Sequence, residues 1–373
     1  MSPSPSTHRA TAPIATQPAN GGDRSDHRPA PVAGLLPGLA AAAGLTALAT
    51  LVGGIVPLVG APVIAIVTGM AIAAARRPGP RFAPGLTFTS RKVLQGAVVV
   101  LGTGLSFKEV VATNQRSLPV LVGTLVVALV VAQFVGRRLR LPADVTTLVG
   151  VGTAICGASA IAATDAVIEA DQADVGYAVA TIFTFNVAAV LTFPSIGHAL
   201  GLSQQAFGLW AGTAVNDVSS VVAASTVYGH AATAYAVVVK LTRTLAIVPI
   251  TVIIAAWRNR RAAASAGPAA SVGSDAGAGV SHRVSLRRVF PLFLVGFAIA
   301  VAVNSFGLVP AASHAALSSL ATWMITAALA AIGLSTDLGR LRQAGARPIA
   351  LGAILWATVA VTSLGLQLVT GTI

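Results

Sequence analysis

GTAICGASAIAA, residues 152–163, lies inside an apolar stretch, yet it is built from Gly, Thr, Ser and the only Cys of the chain. Sixty residues on, GTAVNDVSSVVAA begins at Gly212 and repeats the pattern. Thr153 matches Thr213, Ala154 matches Ala214, Ser159 matches Ser219, and Cys156-Gly157 becomes Asn216-Asp217. Gly and small hydroxyl residues weaken a helix and free backbone N–H and C=O groups, which are tolerated at membrane depth only when buried in protein or facing a wet cavity. The pair therefore points to two interrupted helices whose breaks form a site. The competing explanation is close helix packing through small residues; two copies, the second carrying Asn-Asp, favour the site.

The surrounding chain supports a membrane setting. Of 373 residues, 55% are hydrophobic and only 9% charged, against roughly a quarter charged in soluble proteins. From Leu35 onward the apolar blocks have the length of bilayer-crossing helices. Eleven are expected, at 33–53, 57–75, 93–107, 118–136, 143–164, 175–196, 206–227, 233–257, 289–308, 316–335 and 348–369. The fold class is thus an all-α polytopic membrane bundle of about 11 transmembrane spans with broken helices. Residues 1–31 read as a disordered cytoplasmic tail, 32–257 as spans 1–8, 258–286 as a flexible Ala/Gly/Ser linker, and 287–373 as spans 9–11.

The net charge of +13 reports orientation. With the N-terminus cytoplasmic and eleven crossings, 20 of the 24 Lys and Arg residues fall on the cytoplasmic side, as the positive-inside rule requires. The C-terminus is then outside, as is the acidic group Asp165, Glu169, Asp171 and Asp174. This distribution argues against nucleic acid and for a cell-membrane protein. One Cys excludes an internal disulfide, and the six His show no ligand spacing. No metal, cofactor or ATP-binding loop is expected, and no enzymatic activity.

A second echo occurs at a constant offset of 229: Pro62 with Pro291, Gly104-Leu105-Ser106 with Gly333-Leu334-Ser335, Pro119 with Pro348, and Gly123 with Gly352. Each helix pair runs in opposite directions, which predicts an inverted repeat of the kind found in secondary transporters. The GTA pair does not fit that symmetry if both segments cross. Either they are parallel relatives or one is a re-entrant hairpin.

The candidate substrate-binding residues are Thr153, Cys156, Gly157 and Ser159 in the first break and Thr213, Asn216, Asp217, Ser219 and Ser220 in the second. Asp217 is the sharpest, since an intramembrane carboxylate points to a cavity, a partner or a carried ion. Lys240 and Arg243, in VVVKLTRTLAIVP, sit at i and i+3 on one helix face and could clamp an oxyanion. The alternative is snorkelling to the outer interface. Asn186 reads as a helix–helix hydrogen-bonding residue, Lys108 and Asp337 as markers of helix ends, and Pro194 and Pro249 as kinks or stops.

Three blocks then carry a resemblance: GVGTAICGASAIAATDAVIEA, YAVATIFTFNVAAVLTFPSIGHALGLSQQAFGLWAGTAVNDVSSVVAAS and VVKLTRTLAIVP. Together they resemble the YeiH-type membrane proteins, also called the sulfate exporter family, closely over 94–257 and more loosely beyond. Asp165 departs from the commonest pattern, in which a Ser or an apolar residue stands there. The resemblance implies membership of the cation/proton antiporter and anion transporter superfamily, with inverted repeats and crossed, broken helices, and export of sulfate or sulfonates. The expected partners are a small inorganic or organic anion, the lipid bilayer and further copies in an oligomer. The leading expectation is a secondary transporter that exports a small oxyanion. The alternatives are a cation/proton antiporter centred on Asp217, a channel or sensor, or an intramembrane enzyme using Cys156 or a Ser, which would lack a nearby base.

Overall fold

The computed structural model describes residues 32–55, 60–265, 292–336 and 346–373. The expected tail 1–31, most of the expected linker, and the positions Pro291 and Asp337 lie outside the described residues. Among the described residues the chain is helical, with no strand. Six helical segments are long and apolar enough to cross a membrane: Gly34–Gly54, Phe107–Arg138, Gln172–Ala199, His230–Arg258, Ala311–Ser335 and Ala346–Thr370.

The first helices are α1 (Val32–Ile55), α2 (Gly60–Ala75), α3 (Ala83–Phe88) and α4 (Leu94–Gly102). A π-turn at Thr89–Val93 joins α3 to α4, so this rod begins ten residues before the expected span at 93. Next comes α5 (Phe107–Arg138), opened by a capping box: Glu109 N donates to Ser106 Oγ at 3.2 Å, and Ser106 N donates to Glu109 Oε2 at 2.8 Å. Lys108 thus marks a helix start, as expected.

The expected crossings at 143–164 and 206–227 are both corrected by the structure. The first is two short helices, α6 (Ala143–Ala154) and α7 (Ala158–Ile168). Gly157, at φ 70° and ψ −130°, turns the chain back at their junction, in a conformation that L side chains rarely adopt. The base of the hairpin is closed by Arg258, which donates to the carboxylate of Asp144 at the start of α6 and to the carbonyl of Ile168 at the end of α7. Along its length Val145, Leu148 and Val149 share one apolar cluster with Ile161 and Ile168. Segment 143–168 therefore enters and leaves at the same end of the bundle.

The second hairpin is α9 (Gln204–Ala214) and α10 (Val218–Tyr228). Its base is closed by Tyr228, whose hydroxyl donates to Leu202 O at 2.5 Å. Gln204 Oε1 accepts from Ala231 N at 3.0 Å and Ala232 N at 3.2 Å, beyond the far end of α10.

Between the hairpins runs α8 (Gln172–Ala199), 28 residues or about 42 Å of helix. It starts beside the base of the first hairpin, where Asp174 comes within electrostatic reach of Asp171 and of Asp144. It ends beside the base of the second, where the His198 ring stacks on Tyr228 with centroids 4.3 Å apart. The two hairpins thus enter from opposite ends. Helices α11 (His230–Thr244) and α12 (Ile247–Ser265) run the reverse course, from the base of the second hairpin to Arg258 at the base of the first. Pro249 lies just past the break between them, consistent with a kink. Pro194 stays inside α8 and does not end it.

Two further expectations change as a consequence. The acidic group Asp165, Glu169, Asp171 and Asp174 does not sit opposite the basic loops: it surrounds the Arg258 end, which also carries Arg137 and Arg138 at the end of α5. The reason is that 143–168 doubles back instead of crossing. The expected linker from 258 begins as helix, because α12 continues to Ser265. The chain is completed by α13 (Leu292–Ser305), α14 (His314–Ser335) and α15 (Ala346–Thr370).

Packing at the crossings depends on small residues. Gly69 of α2 and Gly333 of α14 approach so closely that a Cβ on Gly69 would lie 3.0 Å from Ala330 O and Leu334 N. Around the second hairpin, Trp210 stacks on Phe193 at 4.1 Å and donates to Ala360 O of α15 at 3.0 Å.

Candidate functional site

Half-helices of 11 or 12 residues reach about 17 Å, roughly half of a bilayer core of about 30 Å. Two hairpins of that depth entering from opposite ends should meet in the middle, and they do. A Cβ on Gly157, at the first tip, would lie 3.3 Å from Cβ of Asp217, at the second. The tip backbone is irregular but shielded: Ile155, Cys156, Val215 and Asn216 are all buried, as the membrane interior demands.

Each tip exposes one helix C-terminus and one helix N-terminus, and the two kinds of end are treated differently. The C-termini of α6 and α9 are held by α11. Lys240, with no solvent exposure, donates from Nζ to Ile155 O at 2.9 Å and to Val215 O at 2.6 Å. Arg243, one turn on and 3% exposed, donates from Nε to Ala154 O and from Nη1 to Thr213 O. Each cation therefore bridges both hairpins. Carbonyl groups left free at a helix C-terminus carry partial negative charge, so a cation there is stabilised.

This corrects the expected roles of Lys240 and Arg243. They are not a clamp facing an open site, and they do not snorkel to an interface. They lie ten and thirteen residues into the His230–Arg258 span, and their assigned hydrogen bonds go to the backbone. Only Arg243 Nη2 remains without a partner.

The N-termini are the open side. Asp217 caps α10, accepting from Ser220 N at 3.1 Å and Ser220 Oγ at 2.6 Å. The first turn of α7 has no side-chain cap, because Gly157 stands at the N-cap position. Ser159 in that turn is exposed, and Ser219 and Ser220 are half-buried.

The remaining expected residues divide. Thr213 Oγ1 lies 2.6 Å from Ser363 Oγ of α15 and donates to Leu209 O at 2.8 Å, so it ties α9 to α15. Cys156 is a buried thiol at the first tip. Thr153 Oγ1 and Asn216 Oδ1 are buried polar atoms without a hydrogen-bond partner. Asn186 of α8, expected to bond from helix to helix, instead holds the break of the second hairpin: its Oδ1 accepts from Asn216 N, between α9 and α10, at 3.1 Å. Sequence reading missed Ser363 and Gln367 of α15, both buried near the second hairpin; nothing in their local sequence distinguishes them from packing residues.

The comparisons agree with a membrane protein of this kind. The family described as "Conserved hypothetical protein 698" matches residues 37–352. A UPF0324 membrane protein of Streptococcus pyogenes serotype M18 is 41% identical over 344 residues, covering 90% of this chain and 97% of the relative. A UPF0324 membrane protein of Streptococcus pneumoniae serotype 4 is 40% identical over 342 residues, with the same coverage. One from Fusobacterium nucleatum is 36% identical over 335 residues, covering 84% of this chain and 92% of the relative. No solved structure matches. With two opposed hairpins meeting at a shielded centre and relatives matched along nearly their whole length, the chain belongs to the UPF0324 family of membrane proteins, the family of the YeiH-type proteins.

Proposed function

We propose that the chain is a secondary transporter that exports a small oxyanion, sulfate or a sulfonate, through a site between the hairpin tips. The observation that carries this reading is the charge balance at the tips. Lys240 and Arg243 are the only buried Lys or Arg side chains among the described residues. When all three groups are ionised, Lys240 and Arg243 bring two positive charges against the single negative charge of Asp217, and the half-charges at the two helix N-termini offset those at the two C-termini. One positive charge is left over in a shielded region, and an anion would neutralise it. The uncapped first turn of α7, with Ser159, offers free N–H donors to such an anion.

The same balance gives a rule for coupling. A singly charged anion closes the balance with Asp217 ionised. A doubly charged one closes it only when Asp217 takes up a proton, so sulfate would move with a proton and a monoanion would not. Export of an anion is itself favoured by an inside-negative potential, about 2.3 kcal/mol per charge per 100 mV.

The architecture supports this reading in two further ways. Hairpins entering from opposite ends suit an inverted-repeat transporter, and the GTA pair then becomes its internal symmetry. By the positive-inside rule, the basic residues at the helix ends favour an N-terminus in the cytoplasm and a C-terminus outside a cell membrane. A second reading is favoured by one observation: Asp217 is half-buried and reachable, which suits a cation/proton antiporter.

Counterflow separates the two. Proteoliposomes loaded with unlabelled sulfate should accumulate external labelled sulfate, and sulfite, thiosulfate or a short sulfonate should compete. Absence of accumulation by folded, inserted protein, together with sodium-driven loss of a pH gradient, would replace the anion carrier with the antiporter.

A further inference from the structure

The two hairpins repeat one sequence pattern, yet their second halves meet different surroundings. In α10 the residues Val221 to Ser225 are buried without interruption. Val222 and Ala223 share one apolar cluster with Ile66 of α2 and with Ile325 and Leu329 of α14. Beyond α10, at the end of the bundle, the same neighbour is met again: His230 Nε2 lies 3.1 Å from Ser318 Oγ of α14. Along α10, then, the way from the His230 end to the tips is filled with packed side chains.

Helix α7, the counterpart in the first hairpin, has an open face. Ala158, Ser159, Ala162 and Ala166 are exposed, and their spacing of i, i+1, i+4 and i+8 places them on one side of the helix. This face runs from the tip toward the Arg258 end, flanked by the half-buried Asp165. No large apolar side chain of α7 is exposed. The exposed side of α5, by contrast, carries Leu118, Val122, Val126, Val130 and Phe134, the apolar surface that a bilayer core requires. A surface of Ala and Ser with a carboxylate beside it suits water instead, since an ionisable group at membrane depth faces a wet cavity or a partner.

We propose that the tip site has one gate open and one shut in this conformation. Water reaches it from the Arg258 end along α7, and the packing of α10 against α2 and α14 closes it toward the His230 end. Two halves built alike but sealed unlike are what a carrier needs, because a route open at both ends would leak. Lys240 and Arg243 each hold both hairpins, so α10 cannot withdraw from Ile66 and Ile325 without carrying α7 with it. In the opposite conformation the α10 route is open and the α7 face is covered. The inference rests on the tips being the transport site, but its test reads water access and needs no substrate.

The test uses single cysteines in a Cys156→Ala background of the full chain in sealed vesicles, with a membrane-impermeant maleimide added to one side at a time. Ala162→Cys and Ala166→Cys should react only from the side that labels Glu169→Cys, at the base of α7. Ala223→Cys should react from neither side, and should react fully once the protein is unfolded in SDS. Ile66→Asn puts a polar group into the seal and should shift the balance. Ala223→Cys then reacts at least tenfold faster, from the side that labels His230→Cys, and Ala162→Cys reacts at least threefold more slowly. Ile325→Asn, on the other wall of the seal, repeats the measurement in case Ile66→Asn does not insert stably.

Reaction of Ala162→Cys from the wrong side or from neither, or reaction of Ala223→Cys with the seal intact, would overturn the assignment of the gates. Ala223→Cys staying unreactive in both Asn variants, or exposed with no slowing at Ala162→Cys, would overturn the alternation. Sulfate counterflow is measured apart from labelling, so failure of the anion reading is distinguishable from failure of the gates.

Discussion

Lys240 holds Ile155 across 85 residues of chain: its ammonium, fully buried on α11, donates at 2.9 Å to the carbonyl at the end of α6. The same ammonium reaches Val215 at the end of α9. One side chain therefore ties together two hairpins that enter the bundle from opposite ends. Motion of one tip cannot leave the other unaffected while both hydrogen bonds persist.

That arrangement predicts a stability defect before a transport defect. Lys240→Met removes the donor from two buried carbonyls, and Arg243→Met does the same to Ala154 and Thr213. Each should destabilise by about 2–6 kcal/mol, about 1–3 kcal/mol for each buried carbonyl left without a donor. Thermal unfolding of the purified variants checks this. A variant with unchanged unfolding temperature and only weakened anion affinity would restore the clamp.

Asp217 should set the proton coupling of a divalent substrate. Asp217→Asn leaves the charge of the two cations uncompensated at every pH. Sulfate uptake should then lose its pH dependence, while uptake of a monovalent oxyanion should fall. Initial rates in proteoliposomes between pH 5.5 and 8 measure both.

The hairpins predict a specific pattern of labelling. In a Cys156→Ala background, cysteines at Asp144 and Glu169 should react with an impermeant thiol reagent from one side of the membrane. Cysteines at Gln204 and His230 should react from the other. Glu169→Cys and Asp144→Cys labelling from opposite sides would return segment 143–168 to a full crossing.

Gly157→Ala should fold poorly. The position holds φ 70° and ψ −130°, and the new Cβ would meet Asp217 Cβ and Ile182 Cγ2 at 3.3 Å. Strain of this kind costs on the order of 1–3 kcal/mol. The closure at the hairpin base is weaker: Asp144 and Arg258 are 31% and 39% exposed, so breaking their ion pair should cost less than about 1 kcal/mol. Unfolding of Gly157→Ala and Asp144→Ala, compared side by side, reads the difference.

Much of this was legible in composition and pattern. Apolar block lengths reveal a membrane bundle, and the Gly-Thr-Ala repeats around Cys156 and Asp217 locate both breaks. The path of the chain after each break was not legible. Eleven evenly spaced blocks read as crossings because hydropathy is the same in a helix that spans and in a hairpin that turns at mid-depth. Only contacts distant in sequence distinguish them: Asp144 and Ile168 on one guanidinium, and Tyr228 on Leu202. The roles of Lys240 and Arg243 were hidden for the same reason. An i, i+3 basic pair on a helix face reads identically whether it meets an anion or the carbonyl ends of two other helices.

The central claim is that an oxyanion occupies the space between the hairpin tips. Its most direct test is substrate protection of single cysteines in the Cys156→Ala background, at Ser159 and Ser219 on the tips and at His314 away from them. Sulfate at saturating concentration should slow alkylation of Ser159→Cys and Ser219→Cys at least severalfold and leave His314→Cys unchanged. Unaltered alkylation at both tip positions, in protein that still performs sulfate counterflow, would place the substrate elsewhere and contradict the account.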